Sequence, residues 1–519
     1  MTLHHLRHLG LALLSLLALP TAAQEVWHEL RHDIYYNMEG QTTFGASANN
    51  PFWLAANRYG ASSIEGDNSH LRLAITRPIE ADSNRVWRIG AGIDALWGSG
   101  LLSPVQLQQA YVQLGTRHLT FTLGQKQERA MLRNSALSTG AMLLGENARP
   151  VPSVRLETPQ WLHLDTDGRW LALHMHLAYG IMTDGPWQKS YVGPTGRHAN
   201  QTLLHTKSGY VRIGNPDFYR LTFVGGLEMA TQFGGTIYNP SGWGGTLSEP
   251  LKMGGGLKNF FYALVGSGGN DATDGAGYEN NAGNTLGSWR ASLEYRPTDA
   301  WAIRAYYDHF FDDHSAAFDE YGWLDGQYGL ELRLPPNRFV SNLVFEHQRT
   351  DYQSGPIYHD KTAQVNEQIS GIDNYYNHNL YPGWQHYGMA LGNALFASPL
   401  YERTQSLAFV ANRFRANHIG LSGQPLPQLS YRLLYTHLRS WGTYHEPSAE
   451  VEHQHSLLAE LNYRFLTRRE RHLGNDFHQR SWREGWSVRL ALGLDRGTRL
   501  GNNFGVQIAI AKTGLLTKY

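Results

Sequence analysis

The property that most restricts this chain is a period-two alternation of apolar and polar residues that recurs along almost its whole length. In HSLLAELNYRF, residues 455–465, an extended backbone puts Leu457, Ala459, Leu461, Tyr463 and Phe465 on one side and Ser456, Glu460, Asn462 and Arg464 on the other. Successive side chains of a β-strand point to opposite faces, so the spacing calls for strands. HLTFTLGQ sets Leu119, Phe121 and Leu123 against His118, Thr120 and Thr122. RWLALHMHLAYG sets Leu171, Leu173, Met175, Leu177 and Tyr179 against Ala172, His174, His176 and Ala178. In GWSVRLALGL, Trp486, Val488, Leu490, Leu492 and Leu494 oppose Ser487, Arg489, Ala491 and Gly493. With HLRLAIT, YRLTFVGGLEM, WAIRAYYDHF, LSYRLLYTHL and NFGVQIAIA, the count comes to roughly 16–18 strands of about 9–11 residues, long enough to cross a bilayer when tilted.

Alternation defines two faces without naming the neighbour of either. In a soluble sandwich or solenoid the apolar face meets a protein core; in an outer-membrane barrel it meets lipid and the polar face lines the lumen. The N-terminus, MTLHHLRHLGLALLSLLALPTAAQ, has a basic start, an apolar run from Leu9 to Leu19 and small residues up to Ala23. That layout predicts a secretory signal peptide over residues 1–23, with residues 24–519 exported. An exported chain of 519 residues with no cysteine draws no stability from disulfides and needs an extensive hydrogen-bonded sheet. Beyond the leader no run of about 18 apolar residues exists, so no transmembrane helix is expected. The 28 tyrosines, 15 tryptophans and 55 glycines suit strands, tight turns and interfacial aromatic girdles.

Connection lengths favour the barrel. LQQAYVQLGTRHLTFTLGQ and LDGQYGLELRLPPNRFVSNLVFEHQ each join two strands through a short turn, whereas GSGGNDATDGAGYENNAGN at 266–284 and the stretch from Tyr352 to Arg403 are long. Short turns at one end and long loops at the other are the asymmetry of an outer-membrane barrel, and closure leaves no unpaired edge. The expected fold is therefore all-β, an antiparallel transmembrane barrel. Leu457, Leu461 and Phe465 should face lipid, and Glu460, Asn462 and Arg464 should line the interior.

Two kinds of segment break the pattern. Residues 136–161, with Pro150, Pro152 and Pro159, are read as a strandless plug that caps the barrel or folds into its lumen, as is part of 352–403. There Asn147, Arg149 and Arg155 can pair with a polar wall. NPFWLAANRYGASS at 50–63 and GIDNYYNHNLYPGWQHYG at 371–388 mix aromatic rings with Asn, Arg, His and Asp. Sugar recognition uses that mixture, rings stacking on the C–H face of a pyranose and planar amides or guanidinium groups bridging its hydroxyls. The candidate carbohydrate-binding residues are Trp53, Arg58, Asn147, Arg149, Arg155, Tyr375 and Trp384.

Other functions find little support. Lysine plus arginine equals aspartate plus glutamate at 44 each, so no net field draws nucleic acid. No nucleophile elbow, Walker loop or zincin helix occurs, and no catalytic residue is nominated. His174 with His176, and His453 with His455, share strand faces but lack an evident third ligand, so no metal or other cofactor is expected.

LQQAYVQLG, LGQKQER, LSTGAMLLGENARPVPSVRLETP, NPFWLAANRYG and DNYYNHNLYPGWQHYG together resemble the capsule assembly Wzi family, in its divergent long-chain branch. The resemblance covers essentially the whole mature chain, and its most specific element is NARPVP at 147–152. It implies an outer-membrane barrel of roughly 18 strands, with loops folded inside and a helical element across the periplasmic side. The implied activity is that of a surface lectin that helps attach capsular or extracellular polysaccharide, neither an enzyme nor an open export pore. Outer-membrane lipid and the barrel-assembly machinery are the other expected partners; oligomeric state stays open. The main alternative is a porin or sugar-specific channel.

Overall fold

The computed structural model describes residues 32–516 except 83, 243–244, 247–248, 267, 270–279, 282, 313–323, 336, 354–356, 359–368, 371–372 and 466–484. The expected signal peptide, Tyr519 and most of the 266–284 loop lie outside the described residues.

Among the described residues eighteen strands close a barrel. The first six are β1 (Tyr35–Gly45), β2 (Asn68–Arg77), β3 (Arg88–Ser99), β4 (Val105–Gly115), β5 (Thr120–Gln125) and β6 (Ser153–Glu157). The next six are β7 (Leu171–Ile181), β8 (Leu203–Ile213), β9 (Leu221–Phe233), β10 (Asn284–Thr298), β11 (Trp301–Asp312) and β12 (Gly326–Arg333). The last six are β13 (Asn342–Arg349), β14 (Phe414–Leu426), β15 (Leu429–Gly442), β16 (Pro447–Arg464), β17 (Trp486–Gly497) and β18 (Asn503–Leu515). Each pairs antiparallel with its sequence neighbours, and β1 pairs with β18 from Tyr35 opposite Leu515 to Gly45 opposite Gly505. A two-residue strand, Leu162–His163, continues the line of β6 along β7.

This meander has a turn end, where β1 begins and β18 ends, and a loop end. At the turn end Thr116 donates to the Leu119 carbonyl across 2.7 Å, and Asn337 braces its own turn by bonds to Pro335 and Val340. The connections 46–67, 126–152, 182–202, 234–283 and 350–413 all leave the loop end.

The outward face answers the question of neighbour. Leu457 and Leu461 are exposed, together with Leu71, Ile93, Phe121, Ile419, Leu490 and Ile508, while the alternate residues Thr122, Gln454 and Gln507 are buried inside. Glu460 points inward and pairs with Arg58 at 2.9 Å and Arg432 at 3.0 Å. Tyr35, Tyr295, Trp301, Tyr463 and Phe465 ring the outside near the turn end. A continuous apolar belt with an aromatic girdle far exceeds what a protein exposes to water, and matches a wall solvated by lipid. The sandwich or solenoid with reversed faces is thereby excluded.

Two expectations need correction. Residues 153–157 are a wall strand, with Val154 and Leu156 outward and Arg155 inward; the prolines at 150, 152 and 159 flank this five-residue strand and take nothing from its ladder. Strand lengths run from 5 residues in β6 to 18 in β16, so some project well beyond one bilayer crossing. The helical element expected across the periplasmic side falls at the start of the mature chain, of which residues 24–31 lie outside the described residues. A 3-10 turn, Ile79–Asp82, folds inward at the turn end, against Gly90 and Gly115.

Helix α1 (Phe52–Ala55) enters the lumen, α2 (Gly185–Val192) stands at the loop end, and α3 (Leu257–Val265) lies on the outer wall. The Tyr179 hydroxyl donates to the Phe260 carbonyl of α3 across 2.9 Å, which leaves Leu257 and Phe261 exposed beside the belt.

Candidate functional site

The lumen holds a second core. Residues of the 46–67, 126–152 and 350–413 connections pack inside the barrel around Leu54, Met142, Leu143, Tyr376, Trp384 and Phe396, all essentially inaccessible. Carboxylates on the inner wall tie the plug in place. Glu346 on β13 accepts from Ser138 Oγ (2.5 Å), Thr139 N (2.8 Å) and Thr139 Oγ1 (2.7 Å). Asp308 on β11 binds Arg133 at 2.7 Å and accepts from the Met142 amide at 3.2 Å, and Asp495 on β17 accepts from the Phe52 amide at 2.9 Å. Buried charges held by several donors are costly to strip of partners, which makes these anchors strong. Where plug meets wall, inward positions turn apolar: Val344, Leu434, Leu458 and Ala491 are buried against it.

Four of the seven candidate residues belong to this plug. Trp53 donates its indole N–H to Thr436 Oγ1 at 3.1 Å and rests on the His418 ring, with 2% of its surface exposed. The Trp384 indole donates to the Leu143 carbonyl at 2.8 Å, and Tyr375 packs edge-on against Phe310. Asn147 links three segments, accepting from the Asn57 amide at 3.0 Å, donating to the Ala390 carbonyl at 3.3 Å and receiving the Gly60 amide at its own carbonyl. A ring covered on both faces has none left for a pyranose, so the expectation of open sugar contacts at Trp53, Tyr375 and Trp384 is corrected. Their aromatic and polar character serves the plug.

Arg58 and Arg155 belong to the polar lumen. Arg58 is bound to Glu460, and Arg155 Nε donates to Glu157 at 2.7 Å. Arg155 lines an internal cleft of about 160 Å³ with Lys126, Arg149, His174, His176 and Glu228. His176 spends both ring nitrogens on Ser208 (2.6 Å) and Thr206 (3.2 Å), and His174 lies edge-on to Trp161. These two histidines are lining groups rather than a ligand pair.

Arg149 lines that cleft and also reaches a second setting. Its guanidinium carbon sits 3.8 Å from the centre of the Tyr387 ring, and its Nε and Nη2 have no hydrogen-bond partner. Burial pulls its pKa below the usual arginine value, and Tyr387 and Asp184 oppose that shift. Tyr387 in turn lies against Trp187 (ring centres 5.8 Å apart), which stacks on Tyr191 at 5.4 Å and 12°. Trp187, Tyr191 and Tyr387 are all half-buried, and the Tyr191 hydroxyl has no partner.

The local sequence builds this face. Pro186 opens α2 with a preset φ, and Asp184 Oδ2 accepts from both Gln188 Nε2 (2.9 Å) and the Tyr387 amide (3.0 Å), fastening helix to loop. Trp187 and Tyr191 then share a helix side at i, i+4. Tyr387 holds a left-handed backbone at φ 53°, which costs a bulky residue about 1–3 kcal/mol and persists because its surroundings fix it. The result is a row of three half-buried rings over a buried cation, whose Nε and Nη2, like the Tyr191 hydroxyl, are covered and unpaired. Ring faces of this kind stack on sugar C–H surfaces, and the guanidinium beneath backs the Tyr387 ring. Trp187 and Tyr191 were missed in sequence; the signal was WQKSY at i, i+4 directly after Asp-Gly-Pro.

No protein-family model matches this chain, and no curated protein matches it in sequence. Solved structures do match. One from Escherichia coli, described as Wzi, an outer membrane protein involved in group 1 capsule assembly and a carbohydrate-binding β-barrel, is similar with a TM-score of 0.54 at 12% identity, over 94% of this chain and 86% of that one. Pseudomonas aeruginosa OccD3 (OpdP) gives 0.45 at 10% identity, covering 94% of this chain and 92% of that one. Pseudomonas aeruginosa OprD gives 0.44 at 8%, covering 94% and 96%. At such identities the likeness speaks to the fold, a closed barrel of the outer-membrane type.

Proposed function

We propose that this chain is an outer-membrane, lectin-like barrel that binds capsular or extracellular polysaccharide at its loop end and helps hold it at the cell surface. One observation carries the reading: the lumen is filled by a packed protein core, while stacked rings stand at the rim over a buried arginine. A plugged barrel has its recognition surface outside the channel, and Trp187, Tyr191, Tyr387 and Arg149 supply the chemistry. The carbohydrate binding described for the Escherichia coli barrel of similar fold supports it. Binding is shallow, and retention comes from many repeats of one polymer engaging many copies of the protein. Binding, not turnover, is the proposed activity.

The test is the distribution of polysaccharide between washed cells and medium, with and without the protein, at matched synthesis. Release into the medium on deletion is expected; an unchanged distribution rejects the reading. Planar-bilayer recording separates the porin alternative, because large steady openings by the intact chain require a lumen the plug does not leave.

A further inference from the structure

The outer wall is not uniform near the loop end. Across β13 to β17 the residues Phe345, Ile419, Tyr435, Leu457 and Leu494 stand in register, strand beside strand, as the last apolar row of that sector. Two residues nearer the loops, on the same face, the row becomes His347, Asn417, His437, His455 and Arg496. The next is Arg349, Arg415, Arg439 and His453. On the β2–β3 sector the apolar pair Leu71 and Trp97 is followed by Ser69 and Ser99, hydroxyls that bond each other at 3.1 Å. One sector ends in hydroxyls and the other in guanidinium and imidazole groups.

The cationic sector is short of counter-charge. Arg349, Arg415 and Arg439 lie directly opposite one another across neighbouring strands, an arrangement in which like charges repel. Asp351 serves two of them, Arg349 at 2.8 Å and Arg415 at 2.6 Å, and Asp325 lies 3.9 Å from Arg349. Arg439 and Arg496 are exposed, and among the described residues neither has a carboxylate in ion-pair reach. Arg349, Arg415, Arg439, His347, His437 and Asn417 surround a recess of about 280 Å³. An anion seated there would relieve the repulsion, and guanidinium forks match phosphate oxygens two at a time.

The recess opens directly onto the apolar row that faces acyl chains. A free anion uses only its upper part, whereas a lipid with a phosphorylated headgroup uses both. We propose that this ledge is a binding site for a phosphate-bearing lipid of the leaflet on the loop side, phosphate on the arginines and acyl chains on Phe345, Ile419 and Tyr435. The proposal rests on the barrel spanning a bilayer and is independent of the polysaccharide reading.

The test uses the full-length chain purified in detergent, with bisphosphorylated lipid A as probe and its dephosphorylated form as comparison, and bound lipid is counted by native mass spectrometry. Retention should fall about tenfold on removing the phosphates, and by a similar factor in Arg439→Gln/Arg496→Gln, an exposed pair whose loss leaves the wall intact. Trp187→Ala should retain the lipid like the parent chain. Equal retention of both lipid forms overturns the site, and needs no variant to fold. Unchanged binding by the double variant overturns the assignment to these arginines. Displacement by inorganic phosphate at a concentration equal to that of the lipid overturns the lipid commitment in favour of a free-anion site.

Discussion

Tyr376, Trp384 and Phe396 inside the barrel, and Phe345, Leu457 and Leu461 outside it, are equally large and apolar, yet only the first group is covered by protein. The plug is a core in the ordinary sense, closed by its own contacts and by wall carboxylates. The belt is half of a contact whose other half is solvent of a particular kind. Consecutive residues make the difference plain: Leu457 faces outward and Leu458 inward against the plug. Apolar character thus reports an apolar neighbour, and the strand's pleat decides whether that neighbour is lipid or protein.

The comparison can be broken most forcefully from inside. Trp384→Ala should cost about 3–5 kcal/mol of stability in detergent, as truncation of a packed aromatic does, and should raise single-channel conductance as the plug loosens. A variant that unfolds at the parent's denaturant midpoint would mean the plug is held by its polar anchors alone. From outside, Leu490→Arg should cost about 2–4 kcal/mol when unfolding is followed in bilayers, because an arginine replaces a lipid-facing residue midway along the belt. If the cost is the same in a medium without an apolar phase, the belt is not solvated by lipid.

A smaller effect separates the plug from the rim. Trp187→Ala should weaken polysaccharide binding about tenfold, roughly 1.4 kcal/mol, with little change in melting temperature. The buried Trp53→Ala should do the reverse, and a matching loss of binding at equal stability would bring Trp53 back as a contact.

The smallest effect near neutrality comes from His378. Burial holds its pKa down to about 3, and its Nδ1 accepts the Leu380 and Tyr381 amides at 3.0 and 3.2 Å. A histidine depressed in the fold contributes stability that is fully present above its free pKa near 6.5 and declines as pH falls towards 3. Acid should therefore loosen the plug across that window, and His378→Asn should flatten the slope. A slope unchanged by the substitution would assign the acid response elsewhere.

The barrel was legible because its signal is repeated: alternation in one strand is weak, but the same face pattern along the chain, with short turns between, admits few closed solutions. The strand at 153–157 was lost because it is five residues long and bracketed by prolines. The plug was legible as an interruption, and NARPVP does lie within it, but its depth was not. Trp384 and Trp53 carry the same residue chemistry as a sugar platform, and only the chain's path into the lumen shows that one is spent on the Leu143 carbonyl and the other on Thr436 and His418 of the wall. Arg149 was found, and Tyr387 lies in the stretch at 371–388, whereas Trp187 and Tyr191 were hidden in an eight-residue helix. Arg58 and Arg155 were chosen for charge, and their charge is consumed by Glu460 and Glu157.

The pairing of β1 with β18 joins segments from opposite extremes of the sequence over eleven residue pairs. No partial product of synthesis can make that seam. Until the final strand arrives β1 waits with one edge unsatisfied, and loop-closure entropy is met only then. The finished hoop has the reciprocal property, since no strand can peel away without breaking a ladder on each side. Departure from the membrane is then an event of the whole ring, and a molecule loaded by a long polymer pulls against a closed circumference instead of a fraying margin.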